Sequence, residues 1–171
     1  MPAPGRPDET EFNPHAKGYV DAVDGDDVLQ ALTTQLGDFI ELTSTLDGAY
    51  RYTPGKWTVN EVVGHINDTE RILAYRLLAI ARNDKTALPG FEQDDYMAVS
   101  NFSERHLSEL QEEFELIRKS TIHMIGNLPA DAWLRRGTVW TSSVTARGLA
   151  FTLAGHERHH SRILREKYLS K

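Results

Sequence analysis

Cysteine is absent from the 171 residues. Disulfides, zinc–thiolate sites and cysteine nucleophiles are thereby excluded. Also missing is any apolar run approaching the ~20 residues that a helix needs to cross a bilayer, so no membrane partner is expected. Positive charge is in short supply: 19 Lys and Arg stand against 25 Asp and Glu, for a formal net charge of −6. The two signs are mixed along the chain, whereas a nucleic-acid groove wants a basic face, so nucleic acid is not an expected partner. The opening stretch "MPAPGRPDETEFNPHAKGY" is polar and proline-rich. It lacks the apolar core of a signal peptide, which makes the cytoplasm the expected compartment. There is no internal repeat and no low-complexity tract.

What is present suffices for a core: 40% of the residues are hydrophobic, in a chain of ordinary single-domain size. The polar, proline-rich start predicts an N-terminal arm over residues 1–20 that packs loosely or is disordered, followed by one domain over 21–171. Four segments of that domain have helical period, separated by loops rich in Gly, Pro, Asn and Asp. The first runs from about Asp26 to Leu46, ended by "DG". The second starts at Thr58, where "WTVNEV" offers a capping box of Thr58 with Glu61 and a hydrophobic staple of Trp57 with Val62. It runs to about Arg82. The third spans about Ser103 to Asn127 and the fourth about Thr145 to Leu169. Long connections lie between the second and third helices, "DKTALPGFEQDDYMAVSNF", and between the third and fourth, "PADAWLRRGTVWTSS". The expected fold is all-α, a four-helix bundle with those two long loops. "GTVWT" can form a short extended piece without changing the class.

The stretch "GHERHHSRIL" in the last helix contains H-E-x-x-H: His156, Glu157 and His160. In zinc peptidases that pattern gives two metal ligands and a general base. Counting about 100° per residue from Leu149, His156 falls near −20° and His160 near +20°, in the middle of the apolar stripe, with His159 at its margin near −80°. On the second helix, counting from Val62, His65 lies near −60°, again inside the stripe. A lone histidine on an apolar face is usually a core residue bonded to a backbone carbonyl. Two a turn apart must each find partners for desolvated nitrogens, and a divalent cation meets that need. A third from another helix strengthens the case for a three-histidine site. His15, His106 and His123 show no such grouping and read as surface residues.

The peptidase inference itself fails. No histidine follows His160, and Glu166 points about 120° away from it. The third ligand must come from upstream, where His65 stands. Glu157, about 60–100° off the ligand face, reads as a solvated charge in preference to a base at the rim. Arg76 lies near −40° in the second helix's apolar stripe. It is either a buried cation that grips a substrate carboxylate, or an arginine paired with a carboxylate of another helix or snorkelling outward. Asp68 is placed to orient a ligand or to sit on the helix surface. Trp133 and Trp140 can wall a pocket or plug the core.

The stretches "KWTVNEVVGHINDTERILAYRLLAIARND", "LPGFEQDDY" and "AGHERHHSRILREKYL" together resemble the DinB-like, or YfiT-like, family of four-helix-bundle metal-dependent enzymes. The resemblance covers about Tyr19 to Leu169. It implies a divalent metal held by one histidine of the second helix and the H-x-x-x-H pair of the last, which fall on His65, His156 and His160. It also implies pairing into homodimers, for which Ile72 beside the main stripe offers a second face. Several members join a low-molecular-weight thiol, such as bacillithiol or mycothiol, to an electrophile, and one isomerises maleylpyruvate with mycothiol.

Three neutral imidazoles leave open positions on a metal, and imidazole suits Zn²⁺ and Ni²⁺ alike. The expected function is therefore a divalent-metal-dependent enzyme acting on a small molecule, a thiol-dependent S-transferase or a related hydrolase, with Glu157 and Arg76 as candidate catalytic residues. The alternatives are a non-catalytic metal-binding or stress-response module, whose closed site would need a fourth ligand such as Glu61, and a scaffold bundle with empty histidines.

Overall fold

The computed structural model describes residues 5–169. Six α-helices occur there: α1 Lys17–Asp21, α2 Val28–Ser44, α3 Val59–Ala81, α4 Gln93–Ala98, α5 Leu107–Gly126 and α6 Ala146–Ile163. The long ones, α2, α3, α5 and α6, form the expected bundle. Each begins where the local chemistry allows. The Asp27 side chain caps α2 by accepting from the Leu29 and Gln30 amides. Thr58 and Glu61 close the full capping box at α3, and the Thr145 hydroxyl accepts from the Gly148 amide at α6. These contacts satisfy amides that have no partner inside the helix. Beyond Ile163 the last helix continues as a π turn, Leu164–Tyr168, and the Tyr168 hydroxyl donates to the Trp57 carbonyl at 2.8 Å.

The "GTVWT" stretch forms more than one extended piece. It belongs to an antiparallel hairpin, β1 Arg136–Val139 with β2 Ser142–Thr145, turning at Trp140 with φ of 54°. Leu88, from the loop after α3, joins the edge: its amide donates to Thr138 O at 2.9 Å and its carbonyl accepts from Trp140 N at 2.7 Å. The two long loops are thus bonded to each other over one end of the bundle.

The expectation of a loosely packed arm does not hold for the described part of residues 1–20. Glu11, Phe12, Ala16 and Val20 are buried. Arg6 donates to the carbonyls of Val20, Val23 and Gly25 at 2.7–2.8 Å. The segment lies directly on α6, and two glycines make that possible. A Cβ at Gly148 would stand 2.0 Å from Glu11 O, and one at Gly155 would stand 1.9 Å from Tyr19 O. Polar composition concealed this packing because a few well-placed apolar side chains suffice to bury a short segment.

The core falls into two apolar clusters. One gathers Val28 and Leu32 of α2, Leu73, Leu77 and Ile80 of α3, Ile125 of α5 and the first half of α6. The other gathers Phe39, Val59, Val63, Ile66, Leu110, Phe114 and Leu164. Between them every long helix contributes buried polar residues: Gln35, Glu70, Arg118, His65, His156 and Glu157 among them. A polar layer therefore crosses the waist of the bundle.

Candidate metal centre

His65 reaches the waist from α3, and His156 and His160 reach it from α6. The three rings pack against one another with centroids 4.6–5.0 Å apart. Nε2 of His65 and Nε2 of His156 are 3.1 Å apart. One nitrogen from each of the three rings can be chosen so that all lie within 4.8 Å of one another, and this is the single such group of potential ligands among the described residues. Donors about 2.0–2.1 Å from one cation stand about 3.0–3.4 Å from each other, so the His65–His156 spacing already fits shared coordination. Trp57 packs on His65 at 5.0 Å and Tyr19 meets the edge of His156 at 5.5 Å, fixing both rings from outside. The Thr69 hydroxyl lies 3.5 Å from His65 Nδ1.

Burial keeps these imidazoles neutral. It pushes His65 down to about 4 and His160 down to about 3, with the neighbouring histidines adding to the effect at His160. His156 is lowered well below its ordinary value, first by burial and then by His160 and His65. At neutral pH all three can offer lone pairs, as ligation requires.

One face of the cluster opens into a cavity of about 490 Å³, whose lining includes His65 and His156 together with Tyr19, Leu73, Arg76 and Phe91. Its mouth is edged by the N-terminal segment, the hairpin and the loop leading into α4.

A family model for the DinB superfamily matches residues 26–164. The chain belongs to the DinB superfamily. Among solved structures it is similar to one described as "YfiT from Bacillus subtilis is a probable metal-dependent hydrolase with an unusual four-helix bundle topology". That likeness has a TM-score of 0.69 at 17% sequence identity and covers 95% of this chain and 91% of that one. No curated protein matches. Among the described residues of this DinB-superfamily chain, no helix is long and apolar enough to cross a membrane.

The remaining sequence candidates divide. Arg76 is buried in the cavity wall, where Nη2 donates to Pro89 O at 2.6 Å and the guanidinium lies 5.6 Å from the Phe91 ring centre. It neither snorkels outward nor, among the described residues, pairs with a carboxylate. Asp68 stands 3.7 Å from Arg71 on the helix flank. Glu61 is committed to the capping box, accepting from Thr58 N at 2.7 Å, and so is not a fourth ligand. Trp133 is a core plug, whereas Trp140 is exposed and lines the cavity. His106 and His123 are exposed, and exposed His15 sits on the cavity lip.

Glu157 requires a correction. The helical count left it as a solvated charge, but it is only 3% exposed. An α6 packed by α1, α2 and α3 together has little solvated face. Its carboxyl accepts from the Ser161 hydroxyl. Burial raises it to about 7, against the pull of Arg118. Glu157 thus lies beside a buried network that the sequence reading missed, joined to it by the field of Arg118 and not by a hydrogen bond, with Oε2 left without a partner among the described residues. Arg118, fully buried, donates from Nε and Nη2 to Glu70 at 2.8–3.0 Å. Its Nη1 donates to Leu32 O and Gln35 Oε1, and Gln35 passes the chain to Ala154 O. A polar residue inside the apolar stripe of each long helix was the available signal.

Proposed function

We propose that the protein is a metal-dependent enzyme acting on a small molecule, with a Zn²⁺ or Ni²⁺ ion held by His65, His156 and His160. The observation that carries this reading is a cluster of three neutral imidazoles with a cavity opening onto it. When bound, such an ion supplies the Lewis acidity that makes a water or a thiol nucleophilic at neutral pH. The chain's residues do the rest. Tyr19 and Trp57 brace the ligand rings, and the apolar lining of the cavity displaces bulk water from around a bound substrate. Glu157 accepts from the Ser161 hydroxyl and stands outside the group of three histidines, so it takes no part in ligation.

The reaction proposed is transfer of a low-molecular-weight thiol to an electrophile, or a related hydrolysis. It draws on the family's chemistry and on the description of the Bacillus subtilis relative. A non-catalytic module with a closed structural metal would need a fourth protein ligand. Among the described residues no further His, Asp or Glu joins the group, which supports the open, catalytic reading. A homodimer in the cytoplasm is part of the same proposal. Tyr75 and Leu116, 59% and 64% exposed, give α3 and α5 an apolar outer face, and light scattering tests it.

The decisive experiment pairs metal content with turnover. Wild type, His65→Ala and His160→Ala are analysed for metal, then screened with an electrophile plus thiol and with ester and amide substrates. One divalent ion in wild type, absent from both variants together with any activity, is the expected result. Equal metal in all three defeats the ligand assignment. Hydrolysis without thiol, or conjugation only with it, decides the reaction class.

A further inference from the structure

Four residues of α3 line the cavity: His65, Thr69, Leu73 and Arg76. From His65 to Arg76 the helix rises about 16 Å and returns to within about 20° of the same azimuth. The cavity therefore has a ligating end, an apolar middle and a cationic end along one helix face. At the cationic end Arg76 is 9% exposed. Burial lowers its pKa, yet a guanidinium remains charged inside a protein. Its one side-chain hydrogen bond among the described residues goes to a neutral carbonyl, Pro89 O. A buried cation without a counter-charge is costly, and a bidentate anion relieves that cost most effectively. The other buried arginine of the waist, Arg118, shows the contrast, because Glu70 already answers it.

We propose that Arg76 anchors the carboxylate of a small aryl or alkyl carboxylic acid whose other end reaches the histidine cluster. This assignment rests on the metal-dependent reading of the same cavity. The body of the acid lies along Leu73 and between Phe91 and Trp140. A single negative charge fits better than a dianionic phosphate. Among the described residues Arg76 is the only Lys or Arg in the lining, and the acidic Glu92 and Asp94 stand at the exposed rim.

The test titrates 3-phenylpropionate into the metal-containing protein, with 3-phenylpropionamide and phenyl phosphate as comparison ligands. Wild type is expected to bind the acid more tightly than the amide or the phosphate. Arg76→Gln is expected to weaken acid binding about tenfold or more, with metal content unchanged and amide binding unaltered. Arg76→Lys, which keeps the charge and loses the planar fork, falls between them and serves alone if Arg76→Gln does not fold. Equal acid affinity in wild type and the variants overturns the proposal. So does an amide that binds as tightly as the acid, a phosphate that binds more tightly, or a wild type that ignores the acid at millimolar concentration. Metal content measured on the same samples separates the two readings. Metal-free wild type that still binds the acid through Arg76 defeats the metal reading and leaves the anchor standing.

Discussion

Two buried polar clusters share the waist of the bundle, and they are built on opposite rules. Around Arg118 every strong donor has an acceptor: Glu70 takes the fork, Gln35 and Leu32 O take Nη1, and the pair carries opposite charges. Around His65, His156 and His160 three uncharged rings meet with one nitrogen–nitrogen contact and an opening to a cavity. A cluster closed on itself holds helices together in one arrangement. A cluster left chemically incomplete, beside a cavity, is equipped to receive something. Position in the core does not distinguish them; completeness does.

Breaking the closed cluster is expected to cost the most. Arg118→Met strands Glu70 without its partner and should lower stability by about 3–5 kcal/mol, read by denaturant unfolding. Replacing Arg118 and Glu70 together by apolar residues of similar volume should recover most of that loss. A single variant as stable as wild type would remove the distinction drawn between the clusters.

Breaking the open cluster should have the reverse profile. His160→Ala is expected to abolish metal binding while lowering the stability of the metal-free protein by only about 1 kcal/mol. Unfolding curves with and without chelator measure both. A large loss in the metal-free state would show that the triad is structural.

Acid sharpens the comparison through the signs of the shifts. Each triad histidine is lowered in the folded protein, so the unfolded chain binds protons that the folded one refuses. Their contribution is complete above about 6.5 and is lost as pH falls, through about 4 for His65 and about 3 for His160. Glu157 is raised, to about 7 from 4.5, and acts oppositely: its contribution is complete below 4.5 and lost as pH rises through 7. Three histidines outweigh one glutamate, so metal-free protein should lose stability from pH 6.5 down to 4.5. A flat profile there would contradict burial of the triad.

Glu157→Gln should do least harm. Below pH 4.5 it replaces one neutral, hydrogen-bonded side chain by another, so stability should stay close to wild type. As pH rises from 4.5 to 7 the unfolded wild-type chain gains a carboxylate charge that the folded one refuses, so the variant, free of that cost, should become the more stable of the two, with metal content unchanged throughout. Loss of metal in this variant would place Glu157 in the ligand shell after all.

Much of this was legible in the chain. Helical period located all four long helices, the capping box fixed the start of α3, and facing alone brought His65, His156 and His160 to one core. Illegible were features that depend on what lies across from a residue. The helical count gives direction but not neighbours, so Glu157 read as solvated although α6 is surrounded. Arg118 and Glu70 carried no motif, and their pairing spans helices. The N-terminal segment read as an arm because its apolar residues are few, while Gly148 and Gly155, which let it dock, lie far away in the sequence.

Glu11 ties two of the three walls of the cavity mouth together. Buried in the N-terminal segment, it accepts from the Thr145 hydroxyl at 2.8 Å and from Arg147 Nε at 2.9 Å, while its carbonyl accepts from Thr145 N at 2.9 Å. The third wall is joined to the hairpin through Leu88. No wall can swing out alone without breaking bonds that another wall needs. Loosening the Glu11 clasp would release two walls at once and is expected to speed both arrival in the cavity and escape from it.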